Sequence, residues 1–158
     1  MGCRILQGSS SRTPGGDYQL NTLQFDESEK LVGLMYRAGV PILAGTDTMN
    51  PQCFPGFGIH DELALLVDAG LSPLAALQTA TRNAADFMGQ LDRRGTIEVG
   101  RIADLVLLDK DPLVDIRNTR SIQAVVLRGK LYPRPALDAM LAKAQTLVSG
   151  QDASSTGK

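Results

Sequence analysis

The run Pro41-Ile42-Leu43-Ala44-Gly45-Thr46-Asp47 constrains this chain more than any other stretch. Ile42, Leu43 and Ala44 suit a short strand covered on both faces, as in parallel sheets flanked by helices. The run then breaks into a glycine, a hydroxyl and a carboxylate. Gly45 admits close approach of backbone or ligand, and Thr46 and Asp47 fall where strand gives way to loop. In parallel α/β folds ligands bind at the carboxyl ends of the strands, so this polar pair is a candidate site. The alternative is a loop aspartate that caps the next turn.

The flanking segments read as helices. Asp26-Glu27-Ser28-Glu29 has capping-box spacing, which predicts a helix starting near 26 with Leu31, Leu34, Met35 and Ala38 on its buried face. Gly39 and Pro41 end it. Past the loop with Pro51, Pro55 and Gly56, residues Leu63, Leu66 and Val67 mark a second amphipathic helix that stops at Gly70. Ser72-Pro73 opens a third, with a serine cap and a proline in the first turn, and Leu74, Leu77 and Ala80 as its buried side. Thr81 and Asn83 are expected to break and recap it, leaving a short last turn that ends at Gly89.

From Gly95 the period becomes two. Ile97 and Val99 alternate with Thr96 and Glu98, and residues 103–108 form a dense apolar strand. Ile122 to Leu127 and Leu131-Tyr132 flank Arg128-Gly129-Lys130, a tight hairpin with glycine supplying positive φ. Pro135 starts a final helix with Leu137, Met140, Leu141, Ala144 and Val148 on one side. Residues 1–20, rich in Gly and Ser, read as a loop or disordered start, and 149–158 as a disordered tail.

With 158 residues, 43% of them hydrophobic, and a net charge of −1, the chain has enough apolar residues for a core and no basic cluster that would fit nucleic acid or a membrane surface. No apolar run approaches a membrane span or a signal peptide, so a cytoplasmic setting and a small-molecule partner are expected. Cys3 and Cys53 are two isolated thiols without metal-ligand spacing, read as free.

The landmarks in order are Gly45-Thr46-Asp47, His60-Asp61-Glu62-Leu63, Ala69-Gly70-Leu71-Ser72-Pro73, Ala80-Thr81-Arg82-Asn83-Ala84-Ala85, Gly95-Thr96-Ile97-Glu98-Val99-Gly100, Ala103-Asp104-Leu105-Val106-Leu107 and Asp111-Pro112-Leu113. This series resembles the carboxyl-terminal portion of the metal-dependent amidohydrolases, in the imidazolonepropionase-like and prolidase-like branch, over about residues 26–141. The resemblance implies an α/β fold: a partial (β/α) barrel comprising the last strand and its helices, then a small antiparallel β unit from a composite β-sandwich, then a C-terminal helix. The implied division is 21–92 for the barrel part, 93–133 for the sandwich part and 134–148 for the helix. A full barrel of this class needs ~250 residues, so the chain is expected to be a truncated fragment.

The resemblance also assigns chemistry. Asp47 matches the carboxylate at the end of the eighth barrel strand, which ligates the metal and acts as general base and acid in hydrolysis of carbon–nitrogen bonds other than ordinary peptide bonds, in amide, cyclic amide or dipeptide substrates. The intact parent would use a divalent metal, with zinc the expected ion. The family's other ligands, chiefly histidines, have no counterpart in a chain with one histidine, so no metal and no activity are expected for the chain alone. His60 is a candidate substrate contact, or else a partly exposed histidine near a helix start, steadied by its acidic neighbours. Asp61 and Glu62 read as favourable charge at a helix amino terminus. Open strand edges and apolar faces imply self-association or aggregation. The competing expectation is a non-catalytic α/β remnant that serves as an association module.

Overall fold

The structure, a computed structural model, describes residues 15–47 and 56–154, with side chains described over 25–47 and 56–147. The chain divides into two units, Met1–Arg101 with Asp111–Arg120, and Ile102–Lys110 with Ser121–Lys158. The described elements of the first unit are helices α1 (Gly15–Arg37), α2 (Gly58–Asp68), α3 (Pro73–Thr79) and α4 (Arg82–Phe87), and a 3-10 helix at Ile116–Arg120. Those of the second are strands β1 (Leu105–Leu108), β2 (Ile122–Leu127) and β3 (Lys130–Pro133), and helix α5 (Arg134–Ser154).

The first unit is organised by α2. Leu63 and Leu66 recur at helical spacing and pack with Leu71, Ala76 and Ile116 into one buried cluster, against which Val32, Ile42, Ala44 and Ile59 lie partly buried. Ile116 reaches it from the segment after β1. An Asx-type turn shapes that segment, with the Leu113 amide donating to Asp111 Oδ1 at 2.8 Å and Asn118 Nδ2 to the Asp111 carbonyl at 2.8 Å.

Helix α1 differs from expectation at its start and on its face. Helical backbone begins at Gly15, so Asp26 is interior and caps nothing, and residues 15–20 are helical where a loop was expected. Residues 1–14 lie outside the described residues. Leu31, Leu34 and Met35 are exposed, while Gly33 is buried. The reason is steric. A Cβ on Gly33 would stand 2.1 Å from the Ala69 carbonyl oxygen, so the absent side chain is what lets α1 cross the end of α2 there. The carboxyl end follows the sequence: Gly39 at φ +81° accompanies bonds from its own amide to the Tyr36 carbonyl and from Val40 to Met35, the Schellman pattern.

Serine caps α3 as its sequence requires, Ser72 Oγ accepting from the Ala75 amide at 3.2 Å. Its buried side is Ala76 and Thr79, whereas Leu74 is exposed. Thr81 does break the helix, but its hydroxyl donates back to the Leu77 carbonyl at 2.8 Å instead of capping α4.

The expected buried strand at 42–44 is not formed. Among the described residues no strand pairs with it, and Leu43 is 38% exposed. A strand is defined by neighbours that take its backbone groups, and the described residues of this unit supply single bonds in place of a ladder. Residues 95–100 likewise form no strand, with Ile97 and Val99 exposed, because among the described residues no strand pairs with the alternating pattern.

In the second unit β1, β2 and β3 form an antiparallel sheet in that order, with Leu105 opposite Val126 and Leu127 opposite Lys130. Arg128 (φ +51°) and Gly129 (φ +79°) make the two-residue turn, and Asp104 Oδ1 accepts the Arg128 amide at 2.7 Å. Helix α5 starts at Arg134, which pairs with Asp138, and it runs through 149–154, where a disordered tail was expected.

Gly33→Ala is expected to lower stability by about 1–2 kcal/mol, since overpacking against fixed backbone outweighs the ~1 kcal/mol that alanine adds to helix propensity. Urea unfolding followed by circular dichroism reads this as a lower midpoint. A variant as stable as the parent contradicts the close crossing.

Candidate functional site

Asp47 ends an extended segment whose backbone groups are claimed one at a time. The Ile42 carbonyl accepts from Asn83 Nδ2 at 3.3 Å, and the Ala44 amide donates to the Thr79 carbonyl at 3.3 Å. Thr46 rests on the start of α2, where a Cβ at Gly58 would lie 3.5 Å from its Cγ2. Asp47 itself is exposed and left-handed at φ +48°, a region that aspartate tolerates better than most residues but that still calls for outside support.

His60 sits in the first turns of α2, and Nδ1 is 3.0 Å from Thr119 Oγ1. The Thr119 hydroxyl donates to the Ile116 carbonyl at 2.9 Å, so its oxygen accepts from His60 and the ring carries its proton on Nδ1. Burial, and then the Arg120 guanidinium, hold the imidazole below its ordinary range, with Asp61 opposing. Asp61 pairs with Arg120. His60 and Asp61 together therefore clasp the 3-10 helix to α2, which favours the structural of the two readings for His60.

Glu62 departs from the sequence reading. It is 5% exposed, and desolvation pushes its carboxyl up while the Gly45 amide acts against that shift. A buried acid next to Leu63 of the core is not simply favourable charge at a helix terminus. The signal was present in the spacing, since position 62 falls on the stripe that carries Ile59, Leu63 and Leu66. An acid on that stripe needs a buried partner.

Among the described residues no group of three or more His, Cys, Asp or Glu side chains could hold a metal ion. A catalytic zinc takes about three protein ligands, so Asp47 alone does not fit one. Cys3 and Cys53 lie outside the described residues. Among the described residues no helix is long and apolar enough to cross a membrane.

Comparison with known proteins points in one direction. The model of the Amidohydrolase family matches residues 26–132. An imidazolonepropionase from Aromatoleum aromaticum is 37% identical over 103 residues, 62% of this chain and 23% of that protein. An ochratoxinase from Aspergillus niger is 35% identical over 106 residues, 64% of this chain and 21% of that protein. The crystal structure of a putative prolidase from Bifidobacterium longum superposes with a TM-score of 0.58 at 36% identity, covering 72% of this chain and 30% of that one. The chain thus spans roughly a quarter of the length of the relatives it matches.

A pH prediction follows from the His60 environment. Because the folded state disfavours its proton, the unfolded chain takes that proton up first, and the His60 contribution to stability, complete above its ordinary value of 6.5, is lost as pH falls through it toward the lower folded value. Glu62 has the contrary slope nearer 4.5, and it is common to both proteins. Urea midpoints at about pH 7.5 and 5.5 should fall less in His60→Gln than in the parent. Equal falls would show that His60 is not held neutral.

Proposed function

The chain belongs to the amidohydrolase family, on the branch of imidazolonepropionases and prolidases, and we propose that it supplies the strand-tip acid of a hydrolase acting on carbon–nitrogen bonds other than ordinary peptide bonds. The observation that carries this is Asp47: an exposed carboxylate in a left-handed turn, ending a segment anchored by Thr79 and Asn83. In this reading residues 41–47 are the last strand of a (β/α) barrel, residues 21–92 its carboxyl-terminal part, and β1–β3 a portion of a composite β-sandwich.

The chemistry asked of Asp47 is proton transfer. An ionised carboxylate accepts a proton from the attacking water and hands it to the departing nitrogen, which would otherwise leave as an unstable anion. Small amides, cyclic amides and dipeptides in the cytoplasm are the proposed substrates. Asp47 is also proposed as one donor to a divalent metal, zinc being the expected ion, with the other donors from outside this chain. His60 remains at most a weak substrate contact, because Thr119 engages its ring.

A second reading has its own support. Ile97, Val99, Val106, Leu107 and Val114 are all more than half exposed. Apolar surface of that kind favours association, so the chain by itself would self-associate or serve as an association module. Sedimentation of the purified chain distinguishes the two, since a monodisperse monomer removes the association reading.

The catalytic proposal is tested in the complete hydrolase that carries this sequence. Asp47→Asn should lower turnover by at least ~10², with the urea midpoint little changed. Near-normal turnover would overturn it. For the chain alone, calorimetric titration with zinc should show no stoichiometric uptake. One tightly bound ion per chain, lost in Asp47→Asn, would contradict the proposal that the other donors come from elsewhere.

A further inference from the structure

We propose that Asn83, acting with the Thr79 carbonyl, stands in for a neighbouring strand along one edge of residues 42–44 and so is a positioning residue for Asp47. The inference rests on the catalytic reading of Asp47 and extends it to a residue that touches neither substrate nor reacting atoms.

The two bonds have the pattern of a sheet. In an extended chain the amide and carbonyl of one residue point to the same edge, and successive residues alternate between edges. The Ile42 carbonyl and the Ala44 amide therefore share an edge, and one residue of a parallel neighbour would engage both, donating to the first and accepting from the second. Here Asn83 Nδ2 donates to Ile42 and the Thr79 carbonyl accepts from Ala44, each at 3.3 Å. The segment keeps a strand's pleat under this hold: Ile42, Ala44 and Thr46 are half-buried, whereas Pro41, Leu43, Gly45 and Asp47 are exposed. Asp47 closes the outward row.

The break between α3 and α4 makes this pair available. In an unbroken helix the Thr79 carbonyl would accept the Asn83 amide four residues on. The chain turns at Ala80 and Thr81 instead, and the preceding carbonyls of α3 are taken locally: Ala76 by the Thr79 hydroxyl at 2.6 Å, Leu77 by the Thr81 hydroxyl at 2.8 Å and Gln78 by the Thr81 amide at 3.2 Å. The Thr79 carbonyl is the one given to a distant segment, and Thr79 is 1% exposed, so water does not compete for it. Gly95 seats α4: a Cβ there would stand 2.6 Å from Ala85 Cβ and 3.1 Å from Arg82 Cα. That close seat fixes the first turn of α4, from which Asn83 reaches Ile42. An aliphatic side chain could fill the same half-buried position, but it could not donate to the carbonyl.

The property invoked is the donor on Asn83. Leucine and ionised aspartate are both close to asparagine in size, and neither can donate. The experiment compares Asn83→Leu and Asn83→Asp with the parent by amide hydrogen exchange in the full chain at neutral pH, and by kcat and KM in the assembled hydrolase. In both variants the Ala44 amide should exchange at least about tenfold faster while the Leu66 amide keeps its protection, which shows the unit still folded. There kcat should fall about tenfold with KM within about twofold, since a misplaced acid binds substrate as before but transfers protons poorly. Parental Ala44 exchange or parental kcat in Asn83→Leu overturns the assignment. So does impairment confined to Asn83→Asp, which would make charge the operative property. Loss of Leu66 protection in both variants would make Asn83 a support of the whole unit, and it overturns the assignment too. Asp47→Asn separates the two claims. Retained turnover there overturns the catalytic reading even where Asn83→Leu loosens Ala44, whereas lost turnover beside an unaltered Asn83→Leu overturns the Asn83 assignment alone.

Discussion

The first unit depends on the closure of α2 by Ile116. Leu63 and Leu66 present an apolar stripe that α3 covers from one side through Ala76, and Ile116, returning from beyond β1, seals it. Burying a side chain of that size is worth about 1.5–3 kcal/mol, so loss of Ile116 would remove a large share of a small unit's stability. The Asp61–Arg120 pair and the His60–Thr119 bond flank this contact. Both are partly exposed, and they set the orientation of the returning segment more than they add stability.

That closure gives the candidate site its frame. Thr79 at the end of α3 and Asn83 in α4 hydrogen-bond to the backbone of residues 42–44, and Gly58 at the start of α2 lies beside Thr46. An extended chain held this way is fixed by side-on anchors to helices, where a sheet strand would be fixed by a ladder. The arrangement suits a strand tip whose sheet neighbours belong to the larger fold. The matched segment makes up less than a quarter of the relatives' length.

Much of this was legible in the sequence, for physical reasons that differ by element. The Gly39 terminus, the Ser72-Pro73 start and the Arg128-Gly129 turn are local chemistry and formed as written. The family was legible too, because ordered short motifs survive even where each is weak. What failed depended on partners. The strand at 42–44 and the alternation at 95–100 need neighbours to become strands, and helix α1 turns a different face inward because Gly33 sets the crossing. At the site, Asp47 stood out as a carboxylate at the end of an apolar run. Glu62 was hidden beside Asp61, since adjacent acids at a helix start look alike until the stripe is traced and one of them is found buried.

The central claim is that the core beneath α2 holds the segment carrying Asp47 without strand pairing. Native-state hydrogen exchange at the Ala44 amide tests it most directly, in the parent and in Ile116→Ala, whose cavity should cost about 2–5 kcal/mol. The account predicts that Ala44 is protected in the parent and that its exchange accelerates in Ile116→Ala by the same factor as Leu66 in α2. Fast exchange at Ala44 in the parent, indifferent to the Ile116 substitution, would contradict it.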